Sequence, residues 1–270
     1  MAIWHKTLDG ETIPEVMPGG ARGWAQAALV PLVLAAFVAL WALVVRVTGY
    51  PPFILPGPER VLDRLMDILA DGTLGRHTAT TLGAVLGGLA VGTSVAFVLG
   101  YLLSRSRAVE QLVAPYIVAS QSIPIVAIAP LLVIWFGTGI TSKIIVSALI
   151  VFFPILISCI AGLRSAEPDW RDLMRSLEAT RWQTFTKLEL PAAMPMLVSG
   201  LKVGATLSVI GAVVGEFVGA DRGLGFLIKQ GQGIYDTPLM FVAVTTLVVI
   251  AMALYGAVAL VERFWLAWKQ

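Results

Sequence analysis

Few residues in this 270-residue chain have the type and spacing that chemistry requires. Its two histidines, His5 and His77, stand far apart and outside any H-E-x-x-H pattern, which removes the common zinc-hydrolase arrangement. The single cysteine, Cys159, lies in an apolar run, so an intrachain disulfide and a multi-cysteine metal site are both excluded. No G-x-x-x-x-G-K-S/T run occurs, and not one Gly-Lys pair, so the sequence holds no phosphate-cradling loop. A G-x-S-x-G nucleophile turn is also missing. Catalysis by this polypeptide is therefore not expected, and no metal or catalytic residue is assigned. What remains is a polar triplet, Ser120-Gln121-Ser122, followed by Pro124, and two ionisable side chains inside apolar runs, Lys202 and Glu216. Ionisable groups are costly in lipid, which makes them candidates for function. Lys202 and Glu216 are 14 positions apart, about 21 Å along a helix, too far to pair within one straight segment. Glu216 is expected near a hydrated interface, in solute recognition or in packing, gating or anchoring.

The composition says what kind of body must hold these groups. At 57% hydrophobic and 13% charged, the chain lies far from the roughly 25% charge of soluble domains. It reads as an all-α integral membrane protein. A net charge of +2 with scattered basic residues gives no footprint for nucleic acid. Met1–Gly23 is polar and acidic, without a basic start leading into a short apolar core, so it does not read as a cleavable signal peptide. Residues 1–24 are taken as a polar N-terminal segment and 25–270 as one transmembrane domain.

A spanning helix needs about 20 mostly apolar residues, and six stretches qualify: 25–47, 77–103, 113–136, 144–163, 193–218 and 239–261. Residues 48–75 hold an amphipathic segment with Val61, Leu62, Leu65, Ile68 and Leu69 on one face, expected at the interface rather than across the bilayer. In the second span Ala84, Gly88, Gly92, Ala96 and Gly100 recur every four residues, a stripe suited to close helix contact. Gly200, Gly204, Ser208, Ala212 and Glu216 do the same in the fifth. The third span carries Pro115, Pro124 and Pro130 and must bend or break. Backbone freed at that depth is tolerated only against protein or a watery cavity. Ser120, Gln121, Ser122 and Pro124 are thus candidates to line a path, with Ser208 and Glu216; a kinked packing helix is the alternative. Gly219–Pro238 is expected to be a Gly-rich loop.

Between the fourth and fifth spans lies the longest charged interval after residue 76, Arg164–Pro191. Trp170, Leu173, Met174 and Leu177 recur at i, i+3, i+4, i+7, and Trp182, Phe185 and Leu188 at i, i+3, i+6. Pro168 suits a first helical turn and Pro191 a stop. The interval reads as a two-helix elbow in water, or as an amphipathic pair on the membrane surface. Six spans put both termini on one side. That side, with the elbow, holds eleven Lys and Arg against seven on the other, and the richer side is expected to be cytoplasmic.

The run Ser176-Leu177-Glu178-Ala179-Thr180-Arg181, followed by Leu188-Glu189-Leu190-Pro191 and Pro195, resembles the coupling loop of binding-protein-dependent ABC importer permeases. Two departures stand out: Asp172-Leu173-Met174 replaces an acidic-Ala-Ala start, and Glu178 occupies the glycine position. Because glutamate is strained at positive φ, either the turn is made differently or the two helices run together. WFGTGITSK at 135–143 and GEFVGADRGLGFLI at 215–228 are similar to outer loops of the nitrate, taurine, alkanesulfonate and vitamin-precursor group. GAVVGEFVGADRGLG is most similar to the pyrimidine and riboflavin branch.

The resemblance implies a type I importer permease fold with six spans in the cell inner membrane. It also implies a second copy of the chain, two cytoplasmic ATPase subunits holding ATP and Mg, an extracytoplasmic solute-binding protein, surrounding lipid, and no cofactor in the chain itself. The ATPase-coupling residues implied are Trp170, Asp172, Leu173, Met174, Ser176, Leu177, Glu178, Ala179, Thr180, Arg181, Phe185, Leu190 and Pro191. An ion-coupled carrier or channel titrating Glu216 is the rival of another class.

Overall fold

A computed structural model describes residues 20–265, all of whose regular structure is helical. Most of the expected 1–24 segment lies outside the described residues. Helix α1, Gly20–Thr48, forms a compact unit by itself, with Leu32, Val33, Leu34 and Phe37 exposed along an uninterrupted apolar surface.

The second unit contains the remaining elements: α2 (Pro58–Ala70), α3 (Thr73–Ser104), α4 (Arg107–Gln121), α5 (Ile125–Phe136), α6 (Ile140–Arg164), α7 (Pro168–Ser176), α8 (Arg181–Thr184), α9 (Leu190–Gly219), α10 (Leu224–Gly233) and α11 (Thr237–Trp265). Among the described residues five helices, α1 included, are long and apolar enough to cross a bilayer, and α4 with α5 makes a sixth span bent by 87°. The break falls at Ser122-Ile123-Pro124, within the proline-rich third span. A helix ending at Gln121 before Pro124 is the expected response to a residue that lacks an N–H and crowds the preceding turn.

The core of the bundle is α6, packed on one side by α3 and on the other by α9. Both four-residue stripes are buried, and Gly88, Gly92 and Gly100 of α3 and Gly200 and Gly204 of α9 meet α6. A Cβ on Gly92 would stand 2.7 Å from the Ala148 carbonyl oxygen, so this approach of two backbones requires glycine. Small residues at such contacts replace the hydrophobic driving force that lipid does not supply, because close packing and hydrogen bonds must hold the helices together. The Ser147 hydroxyl adds one such bond, donating to the Ser208 carbonyl at 2.9 Å.

Two elements differ from what the sequence predicts. The stretch 219–238 contains a helix, α10, whose Leu224 and Leu227 are fully buried; packing overrides the poor helix propensity of its glycines. The second elbow helix does not stop at Pro191. It passes through a π-helical stretch, Phe185–Glu189, and continues as α9, giving an unbroken run from Arg181 to Gly219. The Leu190 N–H donates to the Phe185 carbonyl, five residues back. This wider turn relieves the clash a proline makes with the carbonyl four residues before it. In α2, only Val61, Leu65 and Ile68 pack inward, while Leu62 and Leu69 are exposed.

Candidate coupling elbow and translocation segment

Helix α7 begins with Pro168 in its first turn and ends in a Schellman motif: Ala179 N–H donates to the Met174 carbonyl at 3.0 Å, and Glu178 N–H to that of Arg175 at 2.9 Å. The motif needs a left-handed residue, and Glu178 takes it with φ 54°. The turn of the resembled family is thus kept without its glycine. Directly afterwards Thr180 and Gln183 form a capping box that starts the next helix, with bonds of 3.2 Å and 2.8 Å. The corner is therefore fixed on both sides by hydrogen bonds.

Three arginines fasten this elbow to the bundle. Arg171 Nη2 donates to the Leu163 carbonyl at 3.1 Å, and Arg164 Nη2 to the Leu103 carbonyl at 3.3 Å. Each cation sits at the carbonyl end of a long helix, where the helix dipole favours it. Arg164 also pairs with Glu110, and Arg105 pairs with Glu189 at 3.1 Å. Arg105 lies 4.4 Å from the Tyr101 ring centroid, and Tyr101 meets Phe185 edge-on at 5.0 Å. Beneath these rings α3, α6, α9 and α11 line an open apolar cavity of about 730 Å³, with Phe97, Leu163, Met194 and Leu201 among its walls.

The coupling residues read from the sequence divide into two groups. Trp170, Leu173 and Leu177 are 55%, 46% and 67% exposed and form one apolar patch on α7. Asp172 stays on the surface, pairing with Arg175 at 2.9 Å. Met174 is half-buried, and Ser176, Glu178, Thr180 and Arg181 surround the corner. Phe185 and Leu190 turn inward to the cavity, which Trp182 also lines, so Phe185 is not part of the exposed patch; Pro191 lies in the first turn of α9.

The path candidates divide too. Ser120, Gln121, Ser122 and Pro124 are exposed at the α4–α5 bend, where Ser120 and Ser122 hydroxyls donate to the Tyr116 and Val118 carbonyls. Ser208 is buried between α6 and α9. Glu216, expected in a hydrated place, is 1% exposed. Its carboxylate accepts the Thr81 hydroxyl at 2.8 Å and the Gly225 N–H at 2.7 Å. Burial is tolerable because donors satisfy both oxygens and the N-terminus of α10 lies beside them. Lys202 pairs with Glu262 of α11. His77, Thr81 and Lys143 were not singled out as site residues from the sequence. The signal available was Lys143 at the end of one resembled loop and Glu216 in the other.

An all-helical bundle with small-residue stripes, a proline-broken span and an exposed corner between the fourth and fifth spans is the architecture of a multi-span membrane protein. The chain belongs to the family described as binding-protein-dependent transport system inner membrane component, whose model matches residues 79–266. It is 44% identical over 239 residues to the riboflavin transport system permease protein RibX of Chloroflexus aurantiacus, covering 88% of this chain and 89% of that one. Identity to the formylaminopyrimidine transport permease protein ThiX of Halalkalibacterium halodurans is 34%, covering 86% and 92%. The taurine transport system permease protein TauC of Escherichia coli is 30% identical, covering 87% of each. Among solved structures, an inward-facing MetNI methionine ABC transporter matches with TM-score 0.65 at 22% identity, over 73% of this chain and 97% of that one. The fold is that of a type I ABC importer permease. The chain is accordingly an inner-membrane permease subunit and not an enzyme; its family works with ATPase subunits and binding proteins.

Proposed function

We propose that two copies of this chain form the membrane path of an importer for a flavin or pyrimidine vitamin precursor, driven by two ATPase subunits that bind ATP and Mg. Both termini and the elbow face the cytoplasm, and a loaded binding protein docks on the other side. The observation that carries the coupling role is the exposed patch of Trp170, Leu173 and Leu177, presented by a corner that hydrogen bonds and three arginines hold in place. Large apolar groups left in water beside fixed polar ones mark a surface that a partner covers. Asp172, Ser176, Glu178, Ala179, Thr180 and Arg181 supply its polar margin.

The bend at Ser120-Gln121-Ser122 and Pro124 lines the path, since a helix broken at that depth is tolerated only away from lipid. The solute class rests on the RibX and ThiX relatives. ATP binding draws the ATPases together, moves the elbow, and shifts the bundle between two arrangements that nucleotide and loaded binding protein bias from opposite ends. The test is uptake of riboflavin and of a formylaminopyrimidine into vesicles holding the permease, its ATPase and its binding protein. Leu177→Asp places a charge in the patch and is expected to reduce ATP-driven uptake at least tenfold while membrane insertion is kept. Undiminished uptake would remove the elbow from the mechanism.

A further inference from the structure

At the end of α9 remote from the elbow, four consecutive residues are each held by a side chain of another helix. Lys143 Nζ of α6 donates to the Arg222 carbonyl at 3.0 Å. His77 Nδ1 of α3 lies 3.0 Å from both the amide nitrogen and the carbonyl oxygen of Gly223. Leu224 N–H donates to Thr81 Oγ1 at 2.8 Å, and Gly225 N–H to Glu216 Oε2 at 2.7 Å. Thr81 in turn donates to Glu216 Oε1. Two glycines make room for the carboxylate. A Cβ on Gly223, whose φ is 124°, would fall on it, and one on Gly225 would stand 2.9 Å from the Glu216 Cβ. Farther along, Lys229 Nζ donates to the Phe217 carbonyl at 2.9 Å.

Helix α10 leads from this clasp to an exposed tip, with Ile234 62% and Tyr235 75% accessible. In the other direction the clasp stands on the 39-residue run from Arg181 to Gly219, a rod of about 58 Å that starts at the elbow. We infer that Glu216 is a positioning residue that locks α10 to this rod, so that the surface around α10 and the elbow report to each other through one body. This rests on the importer reading above. Two donors converge on the carboxylate, one on each oxygen. Glutamine keeps one acceptor oxygen and removes the charge, so both charge-assisted bonds weaken and Thr81 must reverse its hydroxyl to accept the amide N–H.

The test uses the assembled complex in lipid discs, with spin labels at Gln232→Cys in α10 and Val203→Cys in α9 on a Cys159→Ala background. With labelled permease diluted in excess unlabelled permease, so that most complexes carry a single labelled copy, the unaltered clasp is expected to give one narrow distance in both nucleotide-free and ATP-bound states. Glu216→Gln is expected to broaden it. The same variant should lower the ratio of ATP hydrolysis with and without loaded binding protein at least fivefold, a readout that fold maintenance alone does not move. A ratio within twofold of the parent, or an unbroadened distance, overturns the inference. Where Glu216→Gln does not insert, Thr81→Val is measured in its place, and failure of both to insert overturns it as well, leaving a role in folding alone. Failure of the parent complex to import with ATP would instead count against the importer reading.

Discussion

At the residue scale, Glu178 shows how a family turn survives the loss of its glycine. An L-residue in the left-handed region costs roughly 1–2 kcal/mol. Here the two Schellman hydrogen bonds and the Thr180–Gln183 capping box hold it there. Glu178→Gly is expected to raise the thermal midpoint of the detergent-purified protein and to retain transport. Glu178→Val, with its branched Cβ at φ 54°, is expected to lower that midpoint, by about 1–2 kcal/mol of lost stability. A higher midpoint for the valine variant would show that the turn is made otherwise. The Thr180–Gln183 spacing carried a capping-box signal that the sequence reading did not use. The outcome at Glu178 was not legible, since sequence spacing supports equally a strained turn and two merged helices. Glu216 was legible as a residue on the small face of its helix. That it is enclosed by donors depends on Thr81 and Gly225, 135 and 9 positions away.

At the scale of elements, the four-residue stripes were readable because close helix contact in lipid demands small side chains at that period. The glycines of both stripes lie where α6 packs. Gly92→Leu is expected to disrupt the α3–α6 contact, since its Cβ meets the Ala148 backbone rather than a side chain that can move. Overpacking of this kind costs about 1–3 kcal/mol or more. Size-exclusion of the fluorescently tagged variant should show loss of the monodisperse species; an unshifted peak of parental height would contradict the packing. The merger of α8 into α9 was not legible. Pro191 is an ordinary stop signal, and only the π turn before it, a choice made by tertiary packing around Phe185, lets the helix pass. The same limit applies to α10, where three glycines conceal a helix fixed by buried Leu224 and Leu227.

At the scale of the molecule, the six expected spans correspond to α1, α3, α4 with α5, α6, α9 and α11. Hydropathy decides this level almost alone, because lipid leaves helices as the only open-ended way to satisfy the backbone. What hydropathy leaves open is direction, and the account turns on it: the patch at Trp170, Leu173 and Leu177 receives force from an ATPase only inside the cell. The most direct measurement is labelling of Arg181→Cys, on a Cys159→Ala background, by a membrane-impermeant maleimide in right-side-out and inverted membrane vesicles. Reaction is expected in inverted vesicles alone, with protection there when the ATPase subunit is bound. Reaction in right-side-out vesicles would contradict a cytoplasmic elbow.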